Sequence, residues 1–137
     1  MPSKGKRSRI YSDVLGRNIS VIKTTYDFAK NGGAIGDINL GASVPSGAVV
    51  IGGFLDVLTA LTSGGAATVG VKVETNGDIL ATATAIGTFT TGRKSIIPAM
   101  TGATSVKTTA NRPVVLQVGT ATLTGGRMDV VLFVVNP

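Results

Sequence analysis

The chain has no cysteine and no histidine. The first absence excludes a disulfide framework and thiolate chemistry. The second removes the commonest general base and the commonest transition-metal ligand. There is no tryptophan and there are only two tyrosines, which argues against a sugar-binding groove. Charged residues make up 15%, against roughly 25% for soluble domains. So few charges leave a small protein poorly protected against association, and a surface covered by other subunits is one explanation. No apolar run approaches the roughly 18 residues of a membrane span. The basic start is not followed by the apolar core of a secretory signal. The expected location is the cell that makes the protein, or a particle that leaves it.

What is present is the material of strands and turns. There are 19 glycines, threonine is abundant, and strong helix formers are scarce. At 137 residues the chain is long enough for one domain with a real core. The net charge of +6 is unevenly spread. Residues 1–30 hold seven cations and two acids, 7 − 2 = +5, whereas the rest hold six and five, 6 − 5 = +1. The basicity therefore belongs to the N-terminal part.

Residues 45–74 are the most informative stretch. Residues 47–59 are rich in valine, isoleucine and leucine, and Thr62, Ser63, Gly64 and Gly65 punctuate them. Strict alternation follows, with Val69, Val71 and Val73 on one face and Thr68, Gly70, Lys72 and Glu74 on the other. Period 2 with β-branched residues predicts a half-buried strand. The glycines between the two strands predict a hairpin turn.

The same reading extends along the chain. Residues 18–28 predict a first strand, with Ile19, Val21 and Lys23 on one face and Ile22, Thr24, Tyr26 and Phe28 on the other. Residues 30–33 predict a turn, 34–40 a short strand and 41–47 a loop. Asn76-Gly77 predicts a hairpin into a strand over 79–86. Residues 87–102 predict a long irregular connection, and 106–108 a short strand. Residues 114–118 predict a strand with Val114, Leu116 and Val118 inward. Residues 120–126 predict a hairpin, and 128–135 a near-continuous apolar strand, the best candidate for full burial. Leu61-Thr62-Ser63-Gly64-Gly65 is echoed by Leu123-Thr124-Gly125-Gly126, each before a valine-rich strand. Two similar hairpins, one in each of two sheets, would produce such an echo. The expected fold is all-β: an antiparallel β-sandwich of jelly-roll or Greek-key type over 18–137, preceded by an extended basic arm over 1–17.

No motif carries catalysis. Gly32-Gly33-Ala34-Ile35-Gly36 and Gly64-Gly65 match neither a phosphate loop nor a dinucleotide fingerprint. The acids Asp13, Asp27, Asp37, Asp56, Glu74, Asp78 and Asp129 show no tight metal-ligand spacing. Asp56 and Asp129 each interrupt an apolar strand. A buried acid costs several kcal/mol unless paired, so each is expected to face a cation such as Arg112 or Arg127, to sit at an edge, or to lie in an interface. The arm carries Lys4, Lys6, Arg7, Arg9 and Arg17, with Ile10, Tyr11, Val14 and Leu15 as apolar anchors, and is the candidate partner-binding segment. A frayed solvated terminus is the plain alternative. The arm lacks interleaved aromatics for base stacking, so nucleic acid is not the favoured partner.

The run VPSGAVVIGGFLDVLTALTSGGAATVGV and the closing LTGGRMDVVLFVV resemble the small all-β virion proteins of tailed bacteriophages, the capsid decoration or cement proteins. The resemblance covers roughly residues 34–135. It implies a jelly-roll-like sandwich, a homotrimer, and a seat on the outer surface of a phage capsid, with the major capsid protein as partner. It implies no enzyme activity, no cofactor, no metal and no membrane, and a protein made in the host cytoplasm and located in the virion. The family's functional segment is often a terminal arm, which residues 2–17 would match. The alternatives are another virion component, such as a head fibre, spike base, tail or receptor-binding module, and a nucleic-acid-binding β-barrel.

Overall fold

The computed structural model describes residues 18–95 and 105–137. Among the described residues, eight strands run β1 (Ile19–Asp27), β2 (Gly36–Val44), β3 (Val49–Ser63), β4 (Thr68–Lys72), β5 (Leu80–Ala85), β6 (Gly92–Ser95), β7 (Arg112–Gly119) and β8 (Leu123–Val135). They form two four-stranded antiparallel sheets, ordered β1-β8-β3-β6 and β2-β7-β4-β5. Strand 1 pairs with 8, 2 with 7, 3 with 6 and 4 with 5. The chain is thus doubled back on itself and rolled, which is the jelly-roll topology expected from the sequence.

The alternation places the core as expected. Val69, Val71, Val114, Leu116 and Val118 of one sheet face Val50, Leu55, Val57, Val130, Leu132 and Val134 of the other, all buried. Tyr26 is fully buried, and its hydroxyl donates to the Gly32 carbonyl at 2.6 Å. A buried phenol needs such a partner. Burial, and secondarily the Asp27 charge, push its pKa up to about 12.

Several expectations about connections and boundaries change. The stretch 45–74 is not a hairpin: β3 pairs with β6 and β8, whereas β4 lies in the opposite sheet beside β5 and β7. Residues 64–67 therefore carry the chain across the sandwich. Residues 120–122 do the same between β7 and β8, so 120–126 is no hairpin either. The echo marks no pair of hairpins: Leu61, Thr62 and Ser63 end β3 before its crossing, whereas Leu123, Thr124, Gly125 and Gly126 are the first residues of β8. The two segments lie side by side, with Thr62 opposite Gly125 and Ser63 opposite Leu123.

The second strand is longer than expected and runs to Val44, with Gly41 at φ +91° in its irregular middle. The turn at 30–33 is preceded by a one-turn helix α1 (Phe28–Asn31), whose first turn Asp27 caps by accepting from the Ala29 amide at 3.0 Å. The expected strand at 106–108 is a single bridge between Val49 and Lys107. Thr108 anchors it: its hydroxyl donates to the Pro45 carbonyl and accepts from the Ala48 amide at 3.1 Å. The connection from β5 to β6 contains a one-turn 3-10 helix at Ile86–Thr88.

Candidate interaction surface

Strand β8 is central but not fully buried. Met128, Val130, Leu132 and Val134 point into the core, whereas Phe133 and Val135 point outward and remain partly exposed. The register stacks the outward residues of the β1-β8-β3-β6 sheet into rows. The first row is Ile19, Val135 and Val49; the second is Val21, Phe133 and Gly52. The third is Lys23, Val131, Phe54 and Ser95, and the fourth Thr25, Asp129, Asp56 and Arg93. Two rows and half of the third are apolar. Ile19 is 47% exposed and Val21 62%. The Phe54 and Phe133 rings lie 6.2 Å apart, and the Arg93 guanidinium sits 5.2 Å above the Phe54 ring. Scattered surface hydrophobics are ordinary, but a contiguous apolar face marks an interaction site.

The fourth row holds the two acids singled out in the sequence. Asp56 lies directly opposite Asp129 on the two central strands. Neither meets Arg112 or Arg127 as expected, and neither is at a sheet edge. Asp129 accepts from the Thr25 hydroxyl at 2.6 Å and lies 3.6 Å from the Lys23 ammonium. Asp56 has no hydrogen bond or ion pair among the described residues. Both lie on the outward side of the sheet, where Asp129 is largely covered and Asp56 is partly exposed.

The opposite outer face is polar and internally satisfied. Lys72 lies 2.9 Å from Asp37, and Gln117 bridges Asp37 and Asn76 while accepting from the Gly77 amide at 2.9 Å. The Lys72 hydrogen bond, ahead of the Gln117 contact, holds the Asp37 carboxyl below the usual range. An open hollow of about 380 Å³ lies here, lined by Gly36, Asp37, Thr68, Thr82 and Gln117 among others. Its Asp37 and Gln117 side chains are already engaged with Lys72, Asn76 and each other. At one end, Glu74 takes two hydrogen bonds from Arg112, both at 3.0 Å, and two from Thr109. The Thr109 amide, then the Arg112 guanidinium, hold the Glu74 carboxyl down. This clasp spends Arg112 on Glu74. Among the described residues, no three His, Cys, Asp or Glu side chains gather as a metal site, and no helix is long and apolar enough to cross a membrane.

The predicted arm residues Lys4, Lys6, Arg7, Arg9, Ile10, Tyr11, Val14, Leu15 and Arg17 lie outside the described residues. Sequence reasoning offers an interface as one setting for Asp56 and Asp129, but misses Ile19, Val21, Phe54 and Phe133 as a surface. The one available signal was that strands over 18–28 and 128–135 are apolar on both faces.

No protein-family model matches the chain, and no curated protein matches it. Its fold matches chains in solved phage capsids. One is in the acid-stable capsid of Helicobacter pylori bacteriophage KHP30, at 21% identity and TM-score 0.57, covering 88% of this chain and 89% of that one. A second is in the capsid asymmetric unit of cyanophage Pam1, at 22% and 0.58, covering 88% and 86%. A third is in the capsid of Ralstonia phage GP4, at 23% and 0.61, covering 86% and 85%. At this identity the likeness is one of fold, and it spans nearly the whole of each chain.

Proposed function

We propose that the chain is a structural protein of a bacteriophage virion that decorates the outside of the capsid and stabilises the assembled shell. The observation that carries this reading is the apolar outer face of the β1-β8-β3-β6 sheet, on a jelly roll shared with chains in three phage capsids. Such a face favours contact with other subunits. Buried apolar area supplies the affinity, at roughly 25 cal/mol per Å² before the costs of association are subtracted. The mechanism is mass action. A trimer that binds the assembled shell, and not free capsid subunits, shifts the equilibrium toward the shell without chemistry. The arm cations Lys4, Lys6, Arg7, Arg9 and Arg17 add contacts to the neighbouring shell surface, with Ile10, Tyr11, Val14 and Leu15 as anchors.

Light scattering joined to co-sedimentation with purified shells tests this reading. The expected result is a trimer that sediments with shells and loses binding on Val21→Lys, which puts a charge on the apolar face and leaves the core alone. A monomer that never sediments with shells would overturn it.

A further inference from the structure

The apolar face borders a pair of carboxylates, and that combination specifies what covers it. Its rows run from Ile19, Val135 and Val49 down to Thr25, Asp129, Asp56 and Arg93. A matching occupant is extended, studded with apolar residues, and basic. A second copy packed face to face is a poor match. A two-fold axis along the strands would set Asp56 against Asp129 of the other copy, and one across the strands would set the charged row against the apolar rows. Residues 1–17 have the required composition. They hold Lys4, Lys6, Arg7, Arg9 and Arg17 against one acid, Asp13, with Ile10, Tyr11, Val14 and Leu15 as an apolar block between Arg9 and Arg17.

We propose that in the free protein residues 1–17 lie over the outer face of their own β1-β8-β3-β6 sheet, with arm cations meeting Asp56 and Asp129 and arm apolar groups covering Val21, Phe54 and Phe133. Connectivity supports the same chain as the source. The segment joins the sheet at Ile19, on the first row of the face. The fourth row is six residues further along β1, about 20 Å away at strand spacing. Seventeen extended residues reach up to about 60 Å. A short tether sets an effective concentration in the millimolar range, so the attached segment outcompetes one from another copy in dilute solution. The charges favour the arrangement as well, chiefly at Asp56, which has no ion pair among the described residues, whereas Asp129 already meets Lys23 at 3.6 Å and the Thr25 hydroxyl at 2.6 Å. The inference concerns the free protein and does not rest on the capsid reading.

Limited trypsin cleavage of the full chain tests it. Cleavage after Arg7 and Arg9 is followed in the wild type, in Asp56→Asn/Asp129→Asn, and in Asp37→Asn on the other sheet as control. The expected result is cleavage about fivefold faster in the double variant and unchanged in the control. The wild-type rate should not change on about hundredfold dilution. Equal rates in wild type and double variant overturn the proposal. Protection that fades on dilution assigns the segment to a neighbouring copy and overturns it too. Carbodiimide coupling of wild-type amines to carboxylates reads the same contact without a variant. The Lys23–Asp129 pair is the internal control, Lys4 or Lys6 joined to Asp56 or Asp129 is expected, and the control product without any arm product counts against docking.

Discussion

Thr62 Oγ1 lies 3.0 Å from Thr124 Oγ1, where two strand segments of matching sequence run side by side. The bond ties the end of β3 to the start of β8. Because it is exposed, its net worth is at the low end of the usual range, about 0.5 kcal/mol. Thr62→Val and Thr124→Val are each expected to cost about that much, and the double variant no more than either alone. Urea unfolding of all four proteins measures the coupling, and strictly additive losses would contradict a shared bond.

The glycines of the two matching motifs have different duties. Gly126 sits at φ +124°, and a Cβ there would come 2.4 Å from Leu61 Cδ2 and 2.8 Å from Leu61 Cα. Gly64 faces open space. Gly126→Ala should destabilise by at least about 2 kcal/mol, whereas Gly64→Ala should be neutral or gain up to about 1 kcal/mol. Unfolding midpoints compare the two directly.

Tyr26 predicts the alkaline limb. Its folded pKa, about 12, lies above the ordinary 10.0. The protonated phenol is thus favoured by folding, so its contribution is full below pH 10 and is lost as pH rises through about 12. Tyr26→Phe forfeits the bond to Gly32, about 1–2 kcal/mol near neutrality. It should also flatten the fall in stability between pH 10 and 12. Urea midpoints at a neutral and an alkaline pH give both effects, and equal alkaline slopes would count against this assignment.

Asp37 and Glu74 predict the acid limb. Both carboxyls are held below their ordinary values of 3.8 and 4.5, by Lys72 and by Thr109 with Arg112. Depressed folded values mean stability that is present above the ordinary values and lost as pH falls through the folded ones. Asp37 is solvent-exposed and Glu74 partly so, so the effect is modest and weakens with salt. Glu74→Gln and Asp37→Asn should each make acid unfolding shallower below pH 4.5. Acid titration by circular dichroism follows it.

Much of the architecture was legible because strand periodicity is local. The alternation of Val69, Val71 and Val73, and of Val114, Leu116 and Val118, fixed which side chains turn inward, and burial agrees. Asn76-Gly77 marked a true hairpin, since β4 and β5 do pair. The expectation of an all-β jelly roll follows from such segments and from the scarcity of helix formers.

What the sequence by itself determined, then, is the strands, their inward faces and the points where the chain turns. These depend on neighbours two or three residues away. Only the tertiary structure decided which strand lies beside which. Gly64 and Gly65 would have served a hairpin equally well, yet β3 lies against β8 and β4 in the other sheet. From that choice alone come the stacking of Val21, Phe133 and Phe54 into one apolar face and the meeting of Asp56 with Asp129. Those partners lie scores of residues apart, and a two-residue period carries no information about contacts at that range.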